Sequence, residues 1–266
     1  MKKLQFILMA ALMTATFSAC DEYDDPSVPS QEEIETKIIG KWKRTRLNGQ
    51  EQSTNQRQIA TFETDGKMFS TTTLTVTGKS QWEFRAPFDY VCDGNKVCSR
   101  VYFDNGELRS EVQYEVEEIN DRIMRVRMFR TYSDGHYQDV STPVEYQRVT
   151  NDYTRDVIGL WEGVEMTGET YGGADARIEF RPDGTYTYFN HKDGEWVASD
   201  NVGNEYNVDG DWLATRWCPV PDADYVYERW DIDEIKDGIM KWSAIRDGED
   251  GTRFFSTFTW KKINNE

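Results

Sequence analysis

Two short acidic stretches, PDADY at 221–225 and DGEDG at 247–251, space carboxylates two or three residues apart, as oxygen ligands gather around a calcium ion. Neither continues into the twelve-residue ligand pattern of such a loop, so both read as turns. The two histidines, His136 and His191, have no metal-ligating company, and no pair of cysteines has zinc-site spacing. The sequence holds no serine-nucleophile elbow, no phosphate-cradling glycine loop and no His-Glu-X-X-His motif. With 48 Asp and Glu residues a glycosidase-like pair can be chosen almost anywhere, so no single choice carries meaning. The expectation is a protein that is not an enzyme and that uses no metal and no cofactor.

Aromatic side chains are what the chain has in quantity: 14% of residues, with nine Trp and fourteen Tyr, more ring surface than a disordered chain carries. Tyr186, Tyr188 and Trp242 fall on alternating positions that would face a common interior, where they either line a ligand pocket or pack as core. Trp196, Trp212 and Trp217 lie near turns, in HKDGEW and DGDWLATRWCP, beside polar residues that could hydrogen-bond a sugar. The formal charge of −17, which becomes −19 without Lys2 and Lys3 of the leader, repels nucleic acid and anionic head groups. A nucleic-acid partner is therefore not expected.

The elements that would position these rings repeat. IIGKW at 38–42 returns as VIGLW at 157–161, FETDGKM at 62–68 as FRPDGTY at 180–186, and YEVEEINDRIM at 114–124 as WDIDEIKDGIM at 230–240. Tyr90 with Asp93-Gly94 matches Tyr206 with Asp209-Gly210, and Tyr146 near the end of the first copy matches Trp260. The offset drifts from 119 to 114 residues while the order holds, as small loop deletions in a duplicated unit would produce. Within each unit the hydrophobic period is two, and Asp-Gly, Asn-Gly and Gly-Gly turns separate about eight strand-like segments. This predicts an all-β chain of two tandem antiparallel up-and-down β-barrels over 37–150 and 151–266, closed so that neither leaves an exposed edge.

A Gly-X-Trp at the mouth of the first strand, ahead of a meander of this length, resembles the lipocalin-like (calycin) domains common in envelope lipoproteins. The resemblance implies that Trp42 and Trp161 plug the closed barrel ends behind Gly40 and Gly159, each packed against a basic residue near the last strand. By position those residues are Arg148 for Trp42 and Lys262 for Trp161.

Residues 1–19 have the form of an export signal: two lysines, an apolar run too short to span a membrane, then small residues. Phe17-Ser18-Ala19-Cys20 resembles the bacterial lipobox, which would make Cys20 the lipidated anchor to the membrane. The acidic, Pro- and Ser-dotted stretch that follows, over 20–36, reads as an extended tether and resembles the surface-export signal of Bacteroidota lipoproteins. The expected location is the cell envelope, lipid-anchored at the outer membrane and exposed at its surface, with inner-membrane retention, which Asp21 after the cysteine signals in enterobacteria, as the alternative.

Cys92, Cys98 and Cys218 remain. The spacing of Cys92 and Cys98 around DGNKV permits a cross-hairpin disulfide, but the repeat sets them opposite Val208 and Ala214, small apolar positions that favour buried free thiols. Three roles compete for the whole: binding of a small hydrophobic or amphipathic ligand, glycan capture, or an accessory subunit with filled barrels docked on an outer-membrane protein.

Overall fold

In a computed structural model describing residues 28–76, 79–168, 175–248 and 250–263, and their side chains apart from 72–87, the alternating segments form two antiparallel sheets. The first holds β1 (Gly40–Leu47), β2 (Gln50–Glu51), β3 (Gln58–Phe62), β4 (Lys67–Val76), β5 (Lys79–Asp93), β6 (Lys96–Tyr102), β7 (Leu108–Ile119), β8 (Ile123–Ser133) and β9 (His136–Val149). The short β2 pairs with the end of β1, the other strands follow one another around the sheet, and β9 returns to β1 to close an eight-stranded barrel. The second holds β10 (Gly159–Thr167), β11 (Ala176–Phe180), β12 (Tyr186–Lys192), β13 (Glu195–Ala198), β14 (Val202–Asp209), β15 (Trp212–Cys218), β16 (Val226–Lys236), β17 (Ile239–Asp247) and β18 (Arg253–Ile263). Here β18 pairs with β10, and the sheet is interrupted between β13 and β14. The tandem meander stands as expected from the sequence, with the second unit incompletely closed.

The two units share their closed end. Trp42 pairs in register with Arg148, and Trp161 with Lys262. Each indole is fully buried and donates to the carbonyl four residues back, Trp42 Nε1 to Ile38 O and Trp161 Nε1 to Val157 O, both at 2.7 Å. The Arg148 guanidinium lies 4.1 Å from the Trp42 ring centre and the Lys262 ammonium 5.0 Å from that of Trp161. Gly40 and Gly159 make this approach possible. At φ of 118° and 132° only glycine is comfortable, and a Cβ on Gly159 would stand 2.8 Å from Lys262 Cε. A second shared device is a tyrosine corner: Tyr90 N–H donates to Gly66 O and its hydroxyl to Glu63 O, as Tyr206 does to Gly184 O and Arg181 O.

The stretch expected to be tether over 20–36 ends in structure instead. Residues Gln31–Lys37 form a helix, α1, with Ser30 accepting from Glu33 N as its N-cap. Ile34 and Ile38, four residues apart on one helical face, are buried in the core of the first barrel, and that burial holds the acidic segment in place. Residues 1–27, with the signal peptide and Cys20, lie outside the described residues. The cysteines are free: Cys92 pairs with Val97 and Cys98 with Val91, so the two point to opposite faces of the sheet. Cys218 is buried, while Cys92 and Cys98 are half-buried.

The barrels are joined through charge. Lys43 of β1 donates to Asp211 at 2.9 Å and to Asp231 at 3.0 Å, and Arg57 pairs with Asp231. Lys41 and Thr71 both reach Asp209, at 2.6 Å each. Lys43, Arg57 and Asp231 are buried, and burial lowers the pKa of Lys43 and of Arg57, the nearby acids opposing it. Thr54 and Asn55, in a 3-10 turn, add hydrogen bonds to the backbone of Ile245 and Arg229. Removing Asp231 strands buried cations, so Asp231→Ala should cost about 3–5 kcal/mol in urea denaturation, and the paired change Arg57→Met/Asp231→Leu should recover most of it.

Candidate functional site

The interruption in the second barrel has a local cause. In the first barrel the ladder between β4 and β5 runs from Lys67↔Asp89 through Thr72↔Phe84 and on to the hairpin. In the second, the equivalent first rung, Thr185↔Glu205, survives as an isolated bridge, and contact resumes where Ser199 N–H donates to Tyr188 O. Between those points the chain advances from 185 to 188 on one side and spends 199 to 205 on the other, so the longer side bulges away from β12 while Val202 and Glu205 keep their pairing with β15 across a register shift. The residues there are Asp200-Asn201-Val202-Gly203-Asn204, a turn-forming composition, with Gly203 at φ 62° under the Tyr225 ring.

Behind the bulge lies a cavity of about 470 Å³, within the range of small-molecule sites. Tyr186, Tyr188 and Asn190 of β12 form one wall, with Asn201 from the bulge beside them. Thr215 and Trp217 of β15 and Glu228 and Trp230 of β16 form the other, and Trp242, Phe258 and Trp260 close the back. The back rings pack on one another: Phe258 stacks on Trp260 at 4.0 Å, and Trp242 lies 5.1 Å from Trp260 and 5.6 Å from Trp230. The indole N–H groups of Trp242 and Trp260 have no acceptor among the described residues and are covered by neighbours, so these rings offer the cavity apolar surface. The first barrel differs sharply. Its described interior, between Tyr114, Tyr146, Met68 and Met124, leaves about 20 Å³, room for one water.

Glu228 is, among the described residues, the one charged side chain on the cavity wall. It accepts a hydrogen bond from the Trp230 indole and, among the described residues, forms no ion pair. Burial raises its pKa above the ordinary carboxylate range, opposed by the Arg246 charge and the Trp230 hydrogen bond. Burial likewise raises the pKa of Tyr186, whose hydroxyl bonds to Thr215, and of Tyr188.

The alternation-derived set Tyr186, Tyr188 and Trp242 is therefore brought together on one cavity, with Tyr186 and Trp242 nearly buried and Tyr188 at the half-buried rim. The second aromatic set is dispersed. Trp196 is on the outer side of β13, with the Arg177 guanidinium 4.3 Å and the His191 ring 4.7 Å from its ring. Trp217 belongs to the cavity. Trp212 is not a surface aromatic: it is 2% exposed, pairs with Asp231 and sits beside Arg229 at the joint between the barrels. Its position beside a turn signalled exposure, and the neighbouring barrel covers it. Asp250 of the second acidic stretch is engaged by Thr252 in a turn, and among the described residues no group of acids, histidines and cysteines could hold a metal. Glu228 escaped the sequence reading although its alternation with Trp230 and Ile232 places it inside.

No protein-family model matches the chain, and no curated protein matches it. Among solved structures it is similar to a double mutant of transferrin binding protein B from Haemophilus parasuis, at 7% identity and a TM-score of 0.24. That match covers 78% of this chain and 54% of the other, so the chain spans about half its length. A putative thioesterase II from Thermobifida fusca matches at 8% identity and a TM-score of 0.13, over 64% of this chain and 79% of the other. At such scores neither likeness carries weight for function.

The Glu228 environment has a measurable consequence. A carboxyl whose folded pKa is raised contributes stability below its unfolded pKa, and loses it as pH rises through the folded value. Glu228→Gln should therefore raise Tm over wild type at about pH 8 and lose that advantage at about pH 4, where both side chains are neutral.

Proposed function

We propose that the chain is a non-enzymatic, lipid-anchored binding protein of the cell envelope, whose second barrel takes a small hydrophobic or amphipathic ligand. The observation that supports this most is the aromatic-walled cavity of about 470 Å³ beside the bulge at 199–205, set against the first barrel, whose described side chains leave about 20 Å³ between them. The first barrel then serves as a rigid mount, joined to the second by the buried Lys43, Arg57 and Asp231 network. The lipidated Cys20 would hold the pair at the outer membrane with the barrels facing outward. No helix among the described residues is long and apolar enough to cross the membrane.

The close packing of the first barrel's described side chains favours a second reading, docking on an outer-membrane protein, for which crosslinking to a defined partner is the test. Of Trp196, Trp212 and Trp217, glycan capture retains Trp196 as an outward ring, and Arg177 and His191 already pack against it.

Thermal unfolding of the chain without its lipid, against fatty acids, haem, bile salts, oligosaccharides and calcium, tests the ligand-binding reading. An apolar or amphipathic compound at 100 times its Kd should add about 2.7 kcal/mol of stability. Tyr188→Ala and Trp217→Ala should reduce that shift, and Trp196→Ala should leave it unchanged. A panel in which no apolar compound shifts Tm would contradict the reading.

A further inference from the structure

The cavity combines two features that do not suit a purely apolar guest. Its walls are aromatic, and set into them is a single carboxyl with no cation within pairing distance among the described residues. In the duplicated unit this charge is new. Thr215 pairs with Glu228 as Ser99 pairs with Val112, so the filled barrel has valine where the cavity-bearing barrel has glutamate. The nearest opposing charge, Arg246, acts on Glu228 without pairing with it: its guanidinium lies 4.4 Å from the Trp230 ring centre, Nη1 donates to Asn55 of the first barrel at 2.9 Å, and Nη2 is buried without a hydrogen-bond partner among the described residues.

An isolated carboxyl held in an apolar wall is a cost to the folded protein unless something supplies its counter-charge. A fatty acid would bring a second negative charge against Glu228, and a neutral lipid would supply no counter-charge to it. An organic cation answers both features, since its charge pairs with Glu228 while its alkyl surface and the ring faces attract each other. The net charge of −17 draws the same class of ligand toward the protein.

We propose that the second barrel binds an amphipathic organic cation, with its ammonium group against Glu228 near Tyr188 and Trp217 and its apolar body on Trp242 and Trp260. The proposal rests on the ligand-binding reading above and deepens it to a chemical class.

Hexyltrimethylammonium, octan-1-ol and octanoate serve as cationic, neutral and anionic probes, titrated against the lipid-free chain by tryptophan fluorescence and calorimetry. The cation should bind at least about tenfold tighter than the alcohol, with octanoate weaker still. Glu228→Gln, which keeps the side-chain shape, should weaken the cation about tenfold and change the alcohol by less than about threefold. Wild type gives an independent reading: acidification through the carboxyl range should weaken the cation and spare the alcohol. Of the groups facing Glu228, Tyr186 and Tyr188 on β12 stay neutral there and Arg246 on β17 stays charged, while Thr215 on β15 and Trp230 do not titrate. Equal or tighter binding of the alcohol or octanoate, or a cation affinity indifferent to both Glu228→Gln and pH, overturns the cation assignment and leaves the ligand-binding reading standing. Failure of all three probes overturns both.

Discussion

Everything in this chain is hung on an indole that donates to the carbonyl four residues before it and is roofed by a cation from the last strand. Trp42 with Arg148 and Trp161 with Lys262 repeat that arrangement, and in both the preceding glycine leaves room for the cation. The contact fixes where the first strand starts relative to the last, and with it the register on which barrel closure depends. The tyrosine corners at Tyr90 and Tyr206 then pin the β-turn of the next hairpin to the same end. One end of each unit is thus determined twice over, and the difference that opens a cavity lies away from it.

That freedom is used once. At equivalent places the first barrel has Met68, Val126 and Tyr146 where the second has Tyr186, Trp242 and Trp260, so the second is walled by larger side chains yet keeps the larger void. Side-chain volume alone would give the opposite result. The extra chain at 199–205 explains it, because the bulge parts β12 from β14 after a single rung, and the rings line the widened space without filling it. The charged joint between the barrels lies on outward-facing residues such as Lys43 and Asp231, so it holds the units together without drawing on either core.

The duplicated landmarks made the meander and the inward face of Tyr186, Tyr188 and Trp242 legible in the sequence, because each depends on local alternation and order, while the plug residues were legible only through the resemblance to lipocalin-like domains. Features that depend on what arrives from elsewhere were not legible. Trp212 reads as a turn-side aromatic until a second barrel covers it, and the Lys43, Arg57 and Asp231 cluster joins residues far apart in the chain. Helix α1 was masked by its acidic composition, although Ser30 as a cap and the spacing of Ile34 and Ile38 were visible signs. Glu228 was lost among abundant carboxylates, and only its alignment with Val112 marks it as a charge placed at an interior position.

The central claim, a hollow second barrel beside a first barrel filled between its described side chains, is tested most directly by diffraction from a crystal of the lipid-free chain held under xenon pressure, since xenon enters apolar cavities without needing a specific ligand. The account predicts xenon in the second barrel among Tyr188, Trp217, Trp242 and Phe258, and none between Tyr114, Tyr146 and Met124 of the first. Xenon in the first barrel alone, or side chains filling the second, would contradict it.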